Sequence, residues 1–186
     1  MNEDELIERV QLGDRRAFSE LVEMYQQRVI RLAYSMLSDY EDANDAAQET
    51  LVRVFYAIPN FRGDCSFYTW VYRILRNVCT DFLRKRWEDM YSMEQDQETV
   101  DAQLEPDKSF SPEHLIEKQE TQRQVREAIA LLDNDSRWVL ILYELEGHSY
   151  EDIAEILMLP IGTVKSRISR AREKLRKIFM EKRELF

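Results

Sequence analysis

Apolar residues recur along this chain at three- and four-residue steps, the spacing of helices that bury one face. Phe18, Leu21, Val22, Tyr25, Val29, Leu32, Ala33 and Met36 form one stripe and predict a helix over about 17–37. Ala43, Ala47, Leu51, Val54 and Phe55 predict a second over about 40–57. Pro59 and Gly63 bracket a loop, and Val71, Ile74, Leu75, Val78 and Phe82 line a third helix over about 67–87. Periodicity then fades across residues 88–112, an acidic stretch ending in Ser-Pro that has too little apolar surface to offset the entropy of ordering it. Beyond it, Val125, Ala128, Ile129 and Leu132 form one stripe, and Trp138, Val139, Ile141, Leu142 and Leu145 another. Nothing alternates in the manner of a strand. The expectation is an all-α protein of two small helical domains, 1–90 and 119–186, joined by an acidic linker over 91–118.

Within the second domain, Glu146 to Leu175 carries a more specific pattern. Gly147 suits a left-handed helix end. Ser149-Tyr150-Glu151-Asp152 has the form of a capping box, and Ile153, Ala154, Ile156 and Leu157 give the short helix after it an apolar face. Met158 to Gly162 reads as a turn, and Thr163 as the cap of a final helix. Short helix, tight turn and basic helix together describe a helix-turn-helix. At 100° per residue, Val164, Ile168, Ala171 and Leu175 form the packing stripe of the last helix. Ser166, Ser169 and Arg170 point away from it, with Lys165 beside them and Arg167 and Arg172 on the flanks. In a major groove the outward set reaches base edges and the flanking arginines meet phosphates.

Charge sharpens this picture. The 186-residue chain carries a net charge of −10, which by itself disfavours a nucleic-acid partner. Its distribution does the reverse: residues 61–86 carry +4 and residues 162–186 carry +6, while residues 87–122 carry −9. Such a chain holds DNA poorly on its own, because attraction to phosphate is local and acidic surroundings suppress sliding.

The first basic island falls on the third predicted helix, whose outward face carries Trp70, Arg73, Asn77, Thr80 and Arg84, with Arg76 nearby. An aromatic ring among cations suits single-stranded nucleic acid, where the ring stacks on an unpaired base and the cations hold the backbone; packing of Trp70 on a neighbouring helix is the alternative. The preceding loop, Phe61-Arg62-Gly63-Asp64-Cys65-Ser66-Phe67, offers the short polar groups that a pocket for an extruded base requires. On the second helix, Asp45, Gln48, Glu49, Val52 and Tyr56 face outward as either a protein-binding or a solvated surface.

Other chemistry is sparse. Cys65 and Cys79 read as reduced thiols rather than a disulfide framework, and with His114 and His148 as the two histidines no metal cluster is expected. No cofactor is expected. A nucleic-acid enzyme would need a carboxylate constellation or a nucleophile–base pair, and Asp42 and Asp45 have no convincing partner, so no catalytic residue is expected. The acidic N-terminus does not have the form of a signal peptide, and no apolar stretch approaches the roughly 20 residues that span a bilayer. A cytoplasmic protein without membrane insertion is expected.

Taken in order, these segments resemble the extracytoplasmic-function sigma factors of the sigma-70 family over nearly the whole chain. The resemblance rests on A-F-x-x-L-V-x-x-Y at Ala17 to Tyr25, D-A-A-Q-E-T at Asp45 to Thr50, the run from Phe61 to Asn77, and D-F-L-R-K-R at Asp81 to Arg86. In the second domain it rests on E-G-H-S-Y-E-D-I-A at Glu146 to Ala154 and L-P-I-G-T-V-K-S-R-I-S-R-A-R at Leu159 to Arg172. It implies a region-2 domain that binds the β′ clamp of bacterial core RNA polymerase through Asp45, Gln48, Glu49 and Val52. It also implies that Phe61 to Ser66 with Trp70, Arg73, Asn77 and Arg84 engage the melted −10 element of promoter DNA. A region-4 domain would dock on the β flap and read the −35 element through Lys165, Ser166, Arg167, Ser169, Arg170 and Arg172. The linker would thread toward the active-site cleft of polymerase. Members are commonly sequestered by an anti-sigma factor, often membrane-anchored, and are monomeric when free of polymerase. Leu132-Asp133-Asn134 departs from the Leu-Pro of many relatives, which leaves open how the region-4 helices begin. A one-component operator-binding regulator is the competing reading; it predicts tight duplex binding without polymerase.

Overall fold

The computed structural model describes residues 2–95 and 123–184, and no strand occurs among them. The expected linker falls largely on residues outside this description. In the first unit, α1 (Glu3–Gln11), α2 (Arg15–Leu37), α3 (Tyr40–Ala57) and α4 (Phe67–Gln95) pack side by side. In the second, α5 (123–130), α6 (Asn134–Leu140), a π-helical turn (Ile141–Leu145), α7 (Tyr150–Leu157) and α8 (Ile161–Glu184) form a smaller cluster.

The helix boundaries have local causes. Gly13 sits at φ 94°, and Asp14 then caps α2 by accepting from the amides of Arg16 at 2.9 Å and Ala17 at 3.2 Å. Ser38 closes α2 in the left-handed region, and Asp39 caps α3 by accepting from Asp42 at 2.8 Å. Pro59 ends α3 in a short 3-10 turn, Ile58–Asn60. The Ser66 hydroxyl accepts from the Thr69 amide at 3.1 Å and starts α4. This helix runs to Gln95, past its expected end near residue 87, where Glu88, Met90, Met93, Glu94 and Gln95 are residues that favour helix.

Leu21, Tyr25, Val29, Leu32, Ala33 and Met36 of α2 are buried against α1, α3 and α4, as the stripe predicts. On α3 the core positions are Ala43, Ala46, Ala47, Thr50 and Val54; Leu51 and Phe55 are only half-buried. The small alanines bring α3 close to α2, and the buried Thr50 hydroxyl is satisfied by donating to the Ala46 carbonyl at 2.7 Å. Val71, Leu75 and Val78 of α4 are buried as expected.

Asp133 answers how the second unit begins. Its carboxylate accepts from the Ser136 amide and hydroxyl, both at 2.9 Å, so an acid caps α6. Lys174 of α8 pairs with the same carboxylate, and this hydrogen bond is the main reason its pKa falls to about 2. After Leu140 the helix widens: the Glu146 amide donates to the Ile141 carbonyl five residues back, at 3.0 Å. The widened turn rotates Leu145 out of the stripe predicted for it, and it is 52% exposed. The capping box at α7 is present, with Ser149 and Asp152 each accepting from the other's amide. Thr163, expected as the cap of α8, lies inside its first turn. The Pro160 carbonyl accepts from Thr163 at 2.8 Å and Val164 at 3.1 Å and starts the helix, a place where the missing proline N–H costs nothing.

The two units touch. Arg137, with only 8% of its surface exposed, donates to the Met36 carbonyl at the end of α2 at 2.8 Å, to Leu132 at 3.1 Å and also to Ala130. Burial pushes its guanidinium pKa down from the ordinary value, while three carbonyls share its charge. Arg126 lies over the ring of Tyr34, 5.6 Å from its centre.

Candidate nucleic-acid interface

The helix-turn-helix is built as its spacing predicts. Val164, Ile168 and Ala171 are buried and Leu175 is half-buried, which seats α8 on α6 and α7. Lys165, Ser166, Ser169 and Arg170 are exposed on the opposite side. The Arg170 side chain lies back along the helix and donates through Nε to the Ser166 carbonyl at 3.3 Å. The flanking arginines are not loose: Arg167 is half-buried and pairs with Asp135 at 2.7 Å, and Arg172 pairs with Glu144 at 2.6 Å. Both positions remain at the edges of the outward face, but each arginine must leave a carboxylate to meet a phosphate.

The α4 face is arranged differently. Arg62, Gly63, Asp64 and Ser66 of the loop are exposed, while Phe61 and Cys65 are half-buried. Gly63 takes φ 75°, so the bend at the loop tip depends on glycine. Trp70 does not stand free. It is half-buried against Phe61 and Phe67, with ring centres 5.1 and 5.6 Å away, so the outward tryptophan expected from the helical projection is part of an aromatic cluster under the loop. Gln11 of α1 holds the start of that loop, donating to the carbonyls of Ile58 at 3.1 Å and Phe61 at 2.8 Å.

Farther along α4, Asn77, Thr80 and Arg84 are exposed, whereas Arg73 and Arg76 are half-buried and reach the second unit. Arg73 donates through Nε and Nη2 to the Glu155 carbonyl of α7 at 3.1 and 2.8 Å. Arg76 reaches the Leu157 carbonyl at 3.5 Å, and the Thr69 hydroxyl reaches the Glu155 carboxylate at 3.3 Å. These are the last carbonyls of α7, where a helix carries its negative end. Tyr68 and His148 also share a hydrogen bond across this contact, with Tyr72 edge-on to the imidazole. Burial holds the His148 pKa below its ordinary value. No sequence signal marks these partners, because they lie about eighty residues apart in the chain.

Asp45, Gln48, Glu49 and Val52 are all exposed on α3. With Val78, Asp81, Phe82 and Lys85 of α4 they line a groove of about 490 Å³. Glu49 binds Arg53 at 2.8 Å, so one rim of the groove is an ordered ion pair.

Two family models match the chain in order: sigma-70 region 2 over residues 21–88 and sigma-70 region 4 over residues 122–175. The RNA polymerase sigma-H factor of Pseudomonas aeruginosa is 40% identical over 178 residues, covering 94% of this chain and 92% of its own length. The chain belongs to the extracytoplasmic-function sigma factors. The ECF RNA polymerase sigma-E factor of Haemophilus influenzae is likewise 40% identical over 178 residues and covers 93% of each protein. Among solved structures, CnrH in complex with the cytosolic domain of CnrY aligns with a TM-score of 0.70 at 25% identity, covering 97% of this sigma factor and 99% of that chain. RpoE of Bartonella quintana, solved with the anti-sigma factor NepR, aligns at 0.66 and 27% identity, covering 88% of this chain and 96% of its own. As a sigma factor, the protein directs RNA polymerase to promoters; the operator-binding regulator is not favoured, since both sigma regions match.

Proposed function

We propose that residues 119–186 act as region 4 and read the −35 duplex through Lys165, Ser166, Ser169 and Arg170, with Arg167 and Arg172 on the flanking phosphates. The observation that carries this reading is the exposed basic face of α8 above a buried Val164, Ile168 and Ala171 stripe. Residues 1–90 act as region 2. The loop from Phe61 to Ser66 accepts a −10 base, Trp70 closes the aromatic floor beneath it, and Arg73, Asn77 and Arg84 hold the single strand. Capture requires Arg73 to exchange the Glu155 carbonyl of α7 for a phosphate oxygen, so the two units part when the protein sits on polymerase. A captured base offsets the few kcal/mol of unstacking, so melting contributes to promoter choice. Spacing contributes too, because two modest contacts are joined in one assembly.

The groove beside Asp45, Gln48, Glu49 and Val52 meets the β′ clamp, and region 4 meets the β flap. Residues 91–118 connect the two and follow polymerase toward its active-site cleft. We take the protein to be cytoplasmic, monomeric when free of polymerase and without catalysis of its own. An anti-sigma factor is a further partner in this reading, as NepR is for RpoE of Bartonella quintana. Run-off transcription from randomised promoters, with bacterial core polymerase plus and minus this protein, tests the assignment. New transcripts sharing two spaced upstream elements are expected. Tight duplex binding by the protein alone, with no new transcript, would refute it.

A further inference from the structure

Two tyrosines outside α8 organise its cations. Tyr150 opens α7 and Tyr143 lies in the π-helical turn, yet their rings stack with centres 5.0 Å apart and planes 6° from parallel. The Tyr150 hydroxyl donates to that of Tyr143 at 3.4 Å. Both residues are half-buried, so the pair is not part of the core. Each ring carries one cation from α8: Lys165 Nζ is 5.4 Å from the Tyr150 centre, and Arg172 Cζ is 5.1 Å from the Tyr143 centre. Lys165 and Arg172 are seven residues apart, two helical turns along one side of α8, and the stack spans that interval. Tyr150, Lys165 and Arg172 line one open cleft of about 310 Å³ together with Ser169 and Arg176.

We propose that Tyr143 and Tyr150 are positioning residues of the duplex-reading face: they hold Lys165 and Arg172 in place before DNA arrives. This rests on the reading of α8 given above. A ring face attracts a cation without consuming its N–H donors, so Lys165 keeps its three donors available for an acceptor on DNA. Among the described residues no carboxylate pairs with Lys165, so the ring is the contact that localises it. Lysine and arginine carry large rotamer entropy, and restricting it in the free protein lowers the cost of binding. Arg172 has a second restraint in Glu144, so Lys165 depends more on its ring than Arg172 does.

The test is a double-mutant cycle in the full-length protein bound to core polymerase. Transcription is compared between a promoter selected from the randomised pool and the same promoter with its −35 element scrambled. Tyr150→Leu, which keeps an apolar side chain but no ring, should lower the matched-to-scrambled ratio about two- to fivefold, the range of an exposed cation–π contact. Tyr150→Phe and Tyr150→Trp should restore it. In a Lys165→Ala background, Tyr150→Leu should have no further effect, whereas a merely structural tyrosine would cost the same in both backgrounds. Tyr143→Leu should show a smaller loss that disappears in Arg172→Ala. The salt dependence of matched-promoter binding should keep its slope in Tyr150→Leu, since the number of neutralised phosphates is unchanged. Additive losses in the cycle, or a Leu variant equal to wild type, would overturn the inference alone. A wild-type protein indifferent to the −35 element would overturn the reading of α8 and this inference with it.

Discussion

The two basic surfaces of this sigma factor have similar composition but opposite situations. On α8, the outward residues are exposed, and their cations rest on groups within the same domain. On α4, the central arginines are spent on the backbone of the other domain, whose α7 carbonyls take the place a phosphate would occupy. A guanidinium fork suits a helix C-terminus as well as it suits an oxyanion, so the chemistry that qualifies Arg73 to hold DNA also qualifies it to hold α7. Basic residues on a helix therefore do not by themselves define an available face. The difference lies in whether the nearest acceptor belongs to the same domain.

This contrast can be broken or sharpened at several points. The largest effect is expected at Arg137, which links the end of α2 to α5 and α6. Arg137→Met leaves buried carbonyls without a donor and should cost about 3 kcal/mol in chemical denaturation, with the α4 face gaining rapid amide exchange. If exchange on α4 stays slow, the covering of that face does not depend on this link. Next in size, Lys165→Ala with Arg170→Ala should remove about 2–3 kcal/mol of −35 discrimination in promoter competition assays. Polymerase binding and the covering of α4 should survive the pair of changes.

Arg73→Ala is the change that joins the two surfaces. It should loosen the α4–α7 contact by about 1.5 kcal/mol, the scale of a charge-assisted hydrogen bond. It should also weaken capture of a single-stranded −10 oligonucleotide by the polymerase complex. A rise in oligonucleotide capture would mean that Arg73 serves only closure. The smallest effect is a pH dependence. Burial depresses the His148 pKa in the closed contact, so the ring takes up a proton more readily once the units part. Closure is then full above about 6.5 and weakens as pH falls below it. Fluorescence energy transfer between labels on α1 and α8 should fall on acidification, and His148→Gln should flatten the curve.

What could be read from the chain follows the range of the interactions involved. The α2 stripe and the packing side of α8 were legible because a helix repeats its own geometry every few residues. The Ser149–Asp152 box was legible because both partners lie within one turn. Asp133 was marked as unusual, but its role as a cap needed Ser136 and Lys174 in place. Leu145 went to the wrong side because nothing nearby announces the widened turn before it. Trp70 projected outward correctly as a position on α4, yet the ring meets Phe61, which only the folded loop brings there. The α7 carbonyls that hold Arg73 and Arg76 had no signal at all, since every residue supplies a carbonyl and only tertiary placement selects these two.

The π-helical turn between α6 and Gly147 also bears on how this protein can change length. Such a turn holds one residue more than an α-helix would use to cover the same rise. A deletion of a single codon within Ile141–Leu145 would leave a chain able to wind as ordinary α-helix into Gly147. The core stripe would continue, and a length comparison with relatives would register nothing more than a missing residue. Tyr143 and Glu144, however, would turn by roughly a hundred degrees and lose their station beside α8. On the reading of α8 proposed above, such a deletion would act on promoter choice through the same contact as a substitution of Arg172.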